Sequence, residues 1–173
     1  FSAEESKKIV DEKNGRMIGF IGVKVSHNEQ LYPASAWISI FAVKKEEQGK
    51  GYGTMVLNQV CQSLHKNGIN KIYVGQDFNN FFSGIPDPDE GKEIFFKKNG
   101  FTLNRDRHFD LEADITDNRL IDSFDTSSFD KEFTVASYKD NKKELLGFLE
   151  REFPGRWVFE AEEAIAEGKD PES

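Results

Sequence analysis

Cysteine is all but absent from this 173-residue chain. Cys61 stands alone, which excludes an internal disulfide and any cysteine-rich zinc site. Histidine is nearly as scarce: His27, His65 and His108 are not spaced as a metal pair, so no metal site is expected. No apolar run approaches the roughly 18 residues of a membrane span, and Phe1-Ser2-Ala3-Glu4 is no signal peptide. An initiator Met is missing too, and the expectation is a trimmed or excised piece of a longer protein. Positive charge is in deficit: 23 Lys and Arg against 31 Asp and Glu give a formal charge of −8. Phosphate backbones need a basic face, so nucleic acid is not an expected general partner. These absences leave a protein expected to be soluble, of a reducing compartment, cytoplasmic and without a membrane partner.

What is present is enough for a packed core. Apolar residues make up 37% of the chain, and 16 Phe exclude a wholly disordered polymer. The length fits one domain, or one and a half. The first segment reads as antiparallel strands: Lys8–Lys13, the pair Asn14-Gly15 suited to a type I′ turn, then Met17–Val25. A polar loop leads to Ala36–Val43, which is almost continuously apolar and therefore central in a sheet. Three strands before any strong helix exclude the strict alternation of a parallel dinucleotide fold.

After Val43 comes a polar, glycine-rich turn, Lys44–Thr54, opening into a helix whose predicted apolar face is Met55, Val56, Val60, Cys61 and Leu64. Gly68 is placed to end that helix. Ile69–Gly75 reads as a strand parallel to the third. Asp77–Asp87 is a loop, Pro88–Lys98 a short helix closed by Asn99-Gly100, and Phe101–Ile115 strand-like. The paired acids Glu46-Glu47 and Glu162-Glu163 read as solvated faces, and Cys61 as core rather than nucleophile.

The turn Gln48-Gly49-Lys50-Gly51-Tyr52-Gly53 carries the chemistry. Its glycines let several backbone N–H groups converge at the positive end of a helix, an arrangement suited to phosphate oxygens. A merely tight strand-to-helix turn is the alternative. Two nucleotide motifs fail on spacing. A P-loop needs Lys before the Ser/Thr after its last Gly, and the dinucleotide fingerprint needs two residues between its second and third Gly.

The pattern Gln48-x-x-Gly51-x-Gly53, between Ile40-Phe41-Ala42-Val43 and the later Phe95–Phe101, resembles the acetyl-CoA-binding motif of the GCN5-related N-acetyltransferases (GNAT family), over about residues 8 to 115. The resemblance implies an α/β fold with a mixed, mostly antiparallel sheet flanked by helices. It implies acetyl-CoA as co-substrate and direct attack by a small-molecule or protein amine on the thioester. Backbone groups of Phe41, Ala42 and Val43 would pair with the pantetheine arm, with the Val43 N–H polarising the thioester carbonyl. The N–H groups of Gly49, Lys50, Gly51, Tyr52, Gly53 and Thr54 would cradle the pyrophosphate, Gln48 belongs to the motif, and Lys50 would add positive charge.

The chain also departs from the family pattern. Phe96 stands where many members have a Tyr general acid, Asp89 and Lys92 stand where Asn and Ala are frequent, and the third strand has no carboxylate. Tyr73, Asp77 and Glu46 are the remaining base candidates, with Asp77 the one chosen as a substrate-facing acid. The aromatic loop Phe78–Pro86 either lines the acceptor pocket or plugs the core.

In this fold a strand and two helices normally precede the hairpin. Here they are missing at the front, and the tail offers a strand (Phe133–Ala136) and two helices instead. The first helix is expected from an Asp140 cap to Pro154-Gly155, the second over Trp157–Glu167. The expected organisation is a core over 1–115, a linker over 116–131, and a tail over 132–173 resembling the start of a second such domain. That tail would complete the fold by permutation or by a swap in a homodimer. The functional alternatives are a non-catalytic acyl-CoA-binding or regulatory domain, and a half-domain that mainly dimerises.

Overall fold

The computed structural model describes residues 1–78, 84–86, 89–104, 133 and 141–166. The chain divides into two compact units, Phe1–Arg105 and Asp106–Ser173. The first unit holds a sheet of β1 (Lys7–Val10), β2 (Met17–Val25), β3 (Ser35–Val43) and β4 (Lys71–Val74), in that spatial order. The first three strands are antiparallel, and β4 joins β3 in parallel through helix α1 (Tyr52–Lys66). Helix α2 (Glu90–Lys98) follows. This is the mixed, mostly antiparallel α/β architecture expected.

Alternation sorts the sheet into two faces. One carries Ile9, Ile18, Ile21, Val23, Ala36 and Ile38, packed with Val56, Leu57, Val60 and Leu64 of α1 and Phe96 of α2. The helix face differs from the expected one. Leu57 is fully buried, whereas Met55 is 46% exposed and Cys61 is half-buried. The stripe facing the sheet is 56, 57, 60 and 64, and at 100° per residue Met55 and Cys61 lie at its two flanks. Burial pushes the Cys61 thiol above its ordinary pKa, so it stays protonated and acts as a small apolar filler.

Two turns show which local readings held. The helix ends as expected at Gly68: φ is +83°, the Gly68 N–H reaches the His65 carbonyl at 3.1 Å and the Ile69 N–H the Leu64 carbonyl at 2.9 Å. The first hairpin is not a type I′ turn. Gly15 alone has positive φ (69°), and the loop is wider. The Asp11 carboxylate accepts from the Lys13 N–H, the Asn14 side chain bridges Asp11 and the Arg16 N–H, and the Asp11 N–H closes on the Arg16 carbonyl. Asp11 wins because its side chain satisfies the turn's own backbone.

Phe101–Asn104 are not in a strand, so that expectation fails over its described part. The remainder of the expected strand and the linker lie outside the described residues, as does the tail strand apart from Phe133, which is 66% exposed. In the second unit, α3 (Lys142–Glu152) and α4 (Arg156–Ala166) meet at the expected Pro154-Gly155 break. The first is preceded by Asn141 rather than Asp140 as N-cap. Neither helix has a buried residue, and Phe148, Phe153 and Trp157 are 44%, 48% and 65% exposed.

Candidate active site

The site begins where β3 and β4 part. Their pairing runs from Ser35↔Lys71 to Ile38↔Val74, and the last bond is the Gly75 N–H to the Ile38 carbonyl at 3.2 Å. From there β3 continues to Val43, paired among the described residues only with β2. The register against β2 slips between Gly22 and Val23, so Ser39 is the extra residue of a β-bulge. The bulge bends β3 at the split, and Ser39 is 4% exposed with its Oγ unpartnered among the described residues.

The peptide geometry of this free edge is fixed. The Lys44 N–H bonds the Ile18 carbonyl, so the Val43 carbonyl points the other way, where Gln48 Nε2 donates to it at 2.9 Å. Residues alternate along an antiparallel strand, so Phe41 and Val43 turn their backbone groups to the open edge and Ala42 turns its own to β2. Of the three expected pairing residues, Phe41 turns its backbone groups to this edge, Val43 offers its N–H there while its carbonyl accepts from Gln48, and Ala42 turns to β2.

Beyond Val43 a short 3₁₀ turn, Lys45–Glu47, precedes the glycines. Gly49 (φ +75°) and Gly51 (φ +87°) both take the left-handed conformation, and Gly51 is the N-cap of α1. The first intrahelical bond is from the Met55 N–H to the Gly51 carbonyl, so Tyr52, Gly53 and Thr54 present N–H groups ahead of it. Among the described residues no side chain caps the helix start, and no acid lies in its first turn. The contrast with α2 is instructive. There Asp89 accepts from the Lys92 N–H, and Glu90 and Glu93 occupy the first turn, so that helix start is already supplied with negative charge. At Gly53 an added Cβ would sit 3.4 Å from the Phe95 ring and 3.5 Å from Phe41, ordinary contact distances, so this position faces both rings without requiring glycine.

Lys50 is placed differently from its expected role. Its ammonium lies 2.8 Å from Glu47, which also binds Arg16 at 2.7 Å. Glu47 is buried, not part of a solvated face. The hydrogen bond from Lys50 holds the Glu47 carboxyl below its ordinary value, helped by the charge of Arg16, and raises Lys50 in return. Lys50 therefore shares its charge with the turn's own carboxylate.

On the sheet face away from α1 lies a second group. Gly75 (φ +77°) and Gln76 (φ +53°) are both left-handed and turn the chain after β4. Asp77 follows them, 0% exposed, with Lys24 Nζ at 2.8 Å. Lys24 also donates to the Phe78 carbonyl at 2.7 Å. Around them Trp37 is stacked on Tyr73 (5.7 Å, 24°) and packs against Tyr32 and Phe78 at 5.0 and 4.8 Å. Phe78 is buried, which favours the core-plug reading for the start of its loop; residues 79–83 lie outside the described residues. Phe96 is 6% exposed among Phe41, Phe95 and Phe101, a core ring. Sequence reasoning missed Lys24, Arg16 and Glu47. A lone Lys between Val23 and Val25 in an apolar strand was the available signal for Lys24.

A parallel pair that splits at a bulge, with a glycine-rich helix start at the end of the freed strand, leaves a strand edge that could pair with an extended ligand and a helix N-terminus suited to an anionic end. Residues 1–83, just under half of the chain, match the acetyltransferase (GNAT) family. No curated protein matches the sequence. Among solved structures, a GCN5-related glucosamine N-acetyltransferase region of a fungal multi-domain GH3 β-N-acetylglucosaminidase superposes with TM-score 0.70 at 20% identity, over 94% of this chain and 19% of that one. It shows the shared fold. An acetyltransferase of Trypanosoma brucei gives 0.46 at 18% identity, covering 62% and 68%, and GCN5 of Tetrahymena 0.41 at 28%, covering 59% and 54%.

Proposed function

We propose that the chain is an acetyl-CoA-dependent N-acetyltransferase acting on a primary amine. The observation that carries this reading is the free edge of β3 running from the split at Ser39 into the uncapped start of α1. A pyrophosphate at the N–H groups of Tyr52, Gly53 and Thr54 would set one end of the ligand. The pantetheine arm would then run back along Phe41 and Val43 as an added strand. Its thioester would lie at the far end, toward the bulge. The Phe41 N–H is therefore better placed than the Val43 N–H to polarise the carbonyl. The amine, once deprotonated, forms the new C–N bond as the C–S bond breaks, and the departing thiolate takes a proton. Asp77 is the proposed substrate-facing acid; it has no exposed surface and is ion-paired with Lys24, so it would meet the amine only where the acceptor displaces Lys24.

The solved fungal neighbour is named for glucosamine, which makes an amino sugar one acceptor to screen beside polyamines and lysine peptides. A binding or regulatory domain is the second reading. It is favoured by Phe96, which occupies the core without a proton to give.

The test is calorimetric titration of the full chain with acetyl-CoA, repeated on Thr54→Glu. Thr54 is exposed in the first turn of α1, where a carboxylate suits the helix dipole, so the variant should fold at least as stably. Expected is binding in the wild type and loss of binding in the variant with an unchanged melting temperature. Equal binding in both would remove the phosphate from this turn. Release of free CoA thiol on adding an amine would then separate transfer from mere binding.

A further inference from the structure

We infer that Tyr73 is a stacking platform for the acceptor and that the acceptor is an amino sugar, an inference that rests on the acetyl-transfer reading above. Tyr73 lies in register with Trp37, one residue before the strands part, on the face away from α1. Its ring is held flat on Trp37, at 5.7 Å and 24°. Trp37 is itself 3% exposed and fixed by Tyr32 and Phe78, which also meet each other edge-on at 5.2 Å. Yet Tyr73 remains 42% exposed. A large aromatic ring braced on its inner side and open on its outer side needs an account, because packing alone is served by the buried rings.

The chemistry of that surface selects among amines. A rigid aromatic face with a negative quadrupole suits a pyranose, whose C–H groups form a flat, weakly positive face. A polyamine or a lysine side chain offers no such face and would lose more chain entropy on binding. Charge gives those acceptors no compensation here. The nearby carboxylate of Asp77 is already matched by Lys24 at 2.8 Å, so the site does not draw multiply charged amines by an unpaired anion. The net charge of −8 steers cations to the protein as a whole, not to this face. A sugar stacked on Tyr73 would stand beside the split where the thioester ends.

The experiment compares initial rates of CoA-thiol release from acetyl-CoA with glucosamine, spermidine and a lysine peptide, on the full chain and on Tyr73→Ala and Tyr73→Phe. Expected is the highest kcat/KM for glucosamine. In Tyr73→Ala the glucosamine KM should rise roughly tenfold, as loss of one aromatic contact implies. The KM for acetyl-CoA should hold, and Tyr73→Phe should stay near wild type. A higher kcat/KM for spermidine or the peptide, or an equal loss for all acceptors, would overturn the inference. If acetyl-CoA binds and no amine turns over, the transfer reading falls separately. Saturation-transfer NMR of glucosamine on the CoA-saturated chain then decides the platform: a signal abolished by Tyr73→Ala upholds it, and no signal refutes it.

Discussion

Asp77 and Lys24 carry the sharpest consequence at the scale of single residues. A carboxylate with no exposure is tolerable only when its charge is matched, and the Lys24 ammonium supplies the match at 2.8 Å. Asp77→Asn would leave Lys24 near the Phe78 carbonyl without its counter-charge, at a cost of about 2 kcal/mol, moderated because Lys24 is partly exposed. Urea denaturation should show that loss, and the double variant Asp77→Asn with Lys24→Met should regain more than half of it, since both charges are then gone. The same single variant tests chemistry. If Asp77 faces the acceptor amine, kcat falls while the affinity for acetyl-CoA holds; an unchanged kcat would take the base role away from Asp77. Lys50 makes the opposite point: a lysine in the right place in a motif can still have its charge engaged locally, here by Glu47.

At the scale of elements, helix α1 is fixed at both ends by glycine, for different reasons. At its start, Gly51 has no side chain to cap the first N–H groups, which costs stability and leaves them to the proposed pyrophosphate. At its end, Gly68 satisfies carbonyls through the left-handed turn that only glycine adopts without strain. Gly68→Ala is therefore expected to lower stability by about 1 kcal/mol, visible as a drop in melting temperature, with acetyl-CoA affinity unaltered. An Ala variant as stable as wild type would mean that the left-handed conformation at residue 68 carries no strain for a side chain. The sheet shows a similar economy of parts. One bulge at Ser39 and one early end to β4 convert a continuous parallel pair into an open edge.

At the scale of the whole molecule, the two units differ in how they are packed. Helix α1 buries Val56, Leu57, Val60 and Leu64, whereas α3 and α4 have no buried residue. The two tryptophans report this directly. Trp37 is 3% exposed and Trp157 is 65% exposed. In dilute solution iodide should quench only the Trp157 emission, and Trp157→Phe should leave a fluorescence that resists quenching. Completion of the fold by the tail of a second copy is still a proposal, and the same measurement bears on it. Quenching of Trp157 that falls as protein concentration rises supports association through the tail; quenching independent of concentration counts against it. Among the described residues no helix is long and apolar enough to cross a membrane, and no cluster of His, Cys, Asp and Glu is arranged for a metal.

What was legible in the sequence was local and periodic. Three strands before the first helix, the parallel return of Lys71–Val74, the Gly68 and Pro154-Gly155 stops and the motif at Gln48–Gly53 all follow from backbone preferences and apolar spacing, which act within a few residues. The type I′ reading of Asn14-Gly15 failed because the Asp11 side chain offered the turn better hydrogen bonds than the dipeptide alone could predict. The rest depended on contacts between residues far apart in the chain. Glu47 became buried because Arg16, 31 residues earlier, folds against it. Asp77 found Lys24 across the sheet, and Tyr73 met Trp37 only because β4 returned in parallel beside β3. The sequence determined the elements and the motif, since these are set by local conformational energy. Only the tertiary structure decided which charges are matched, which backbone edge is free and which aromatic face is open, since each depends on what the remote chain brings alongside.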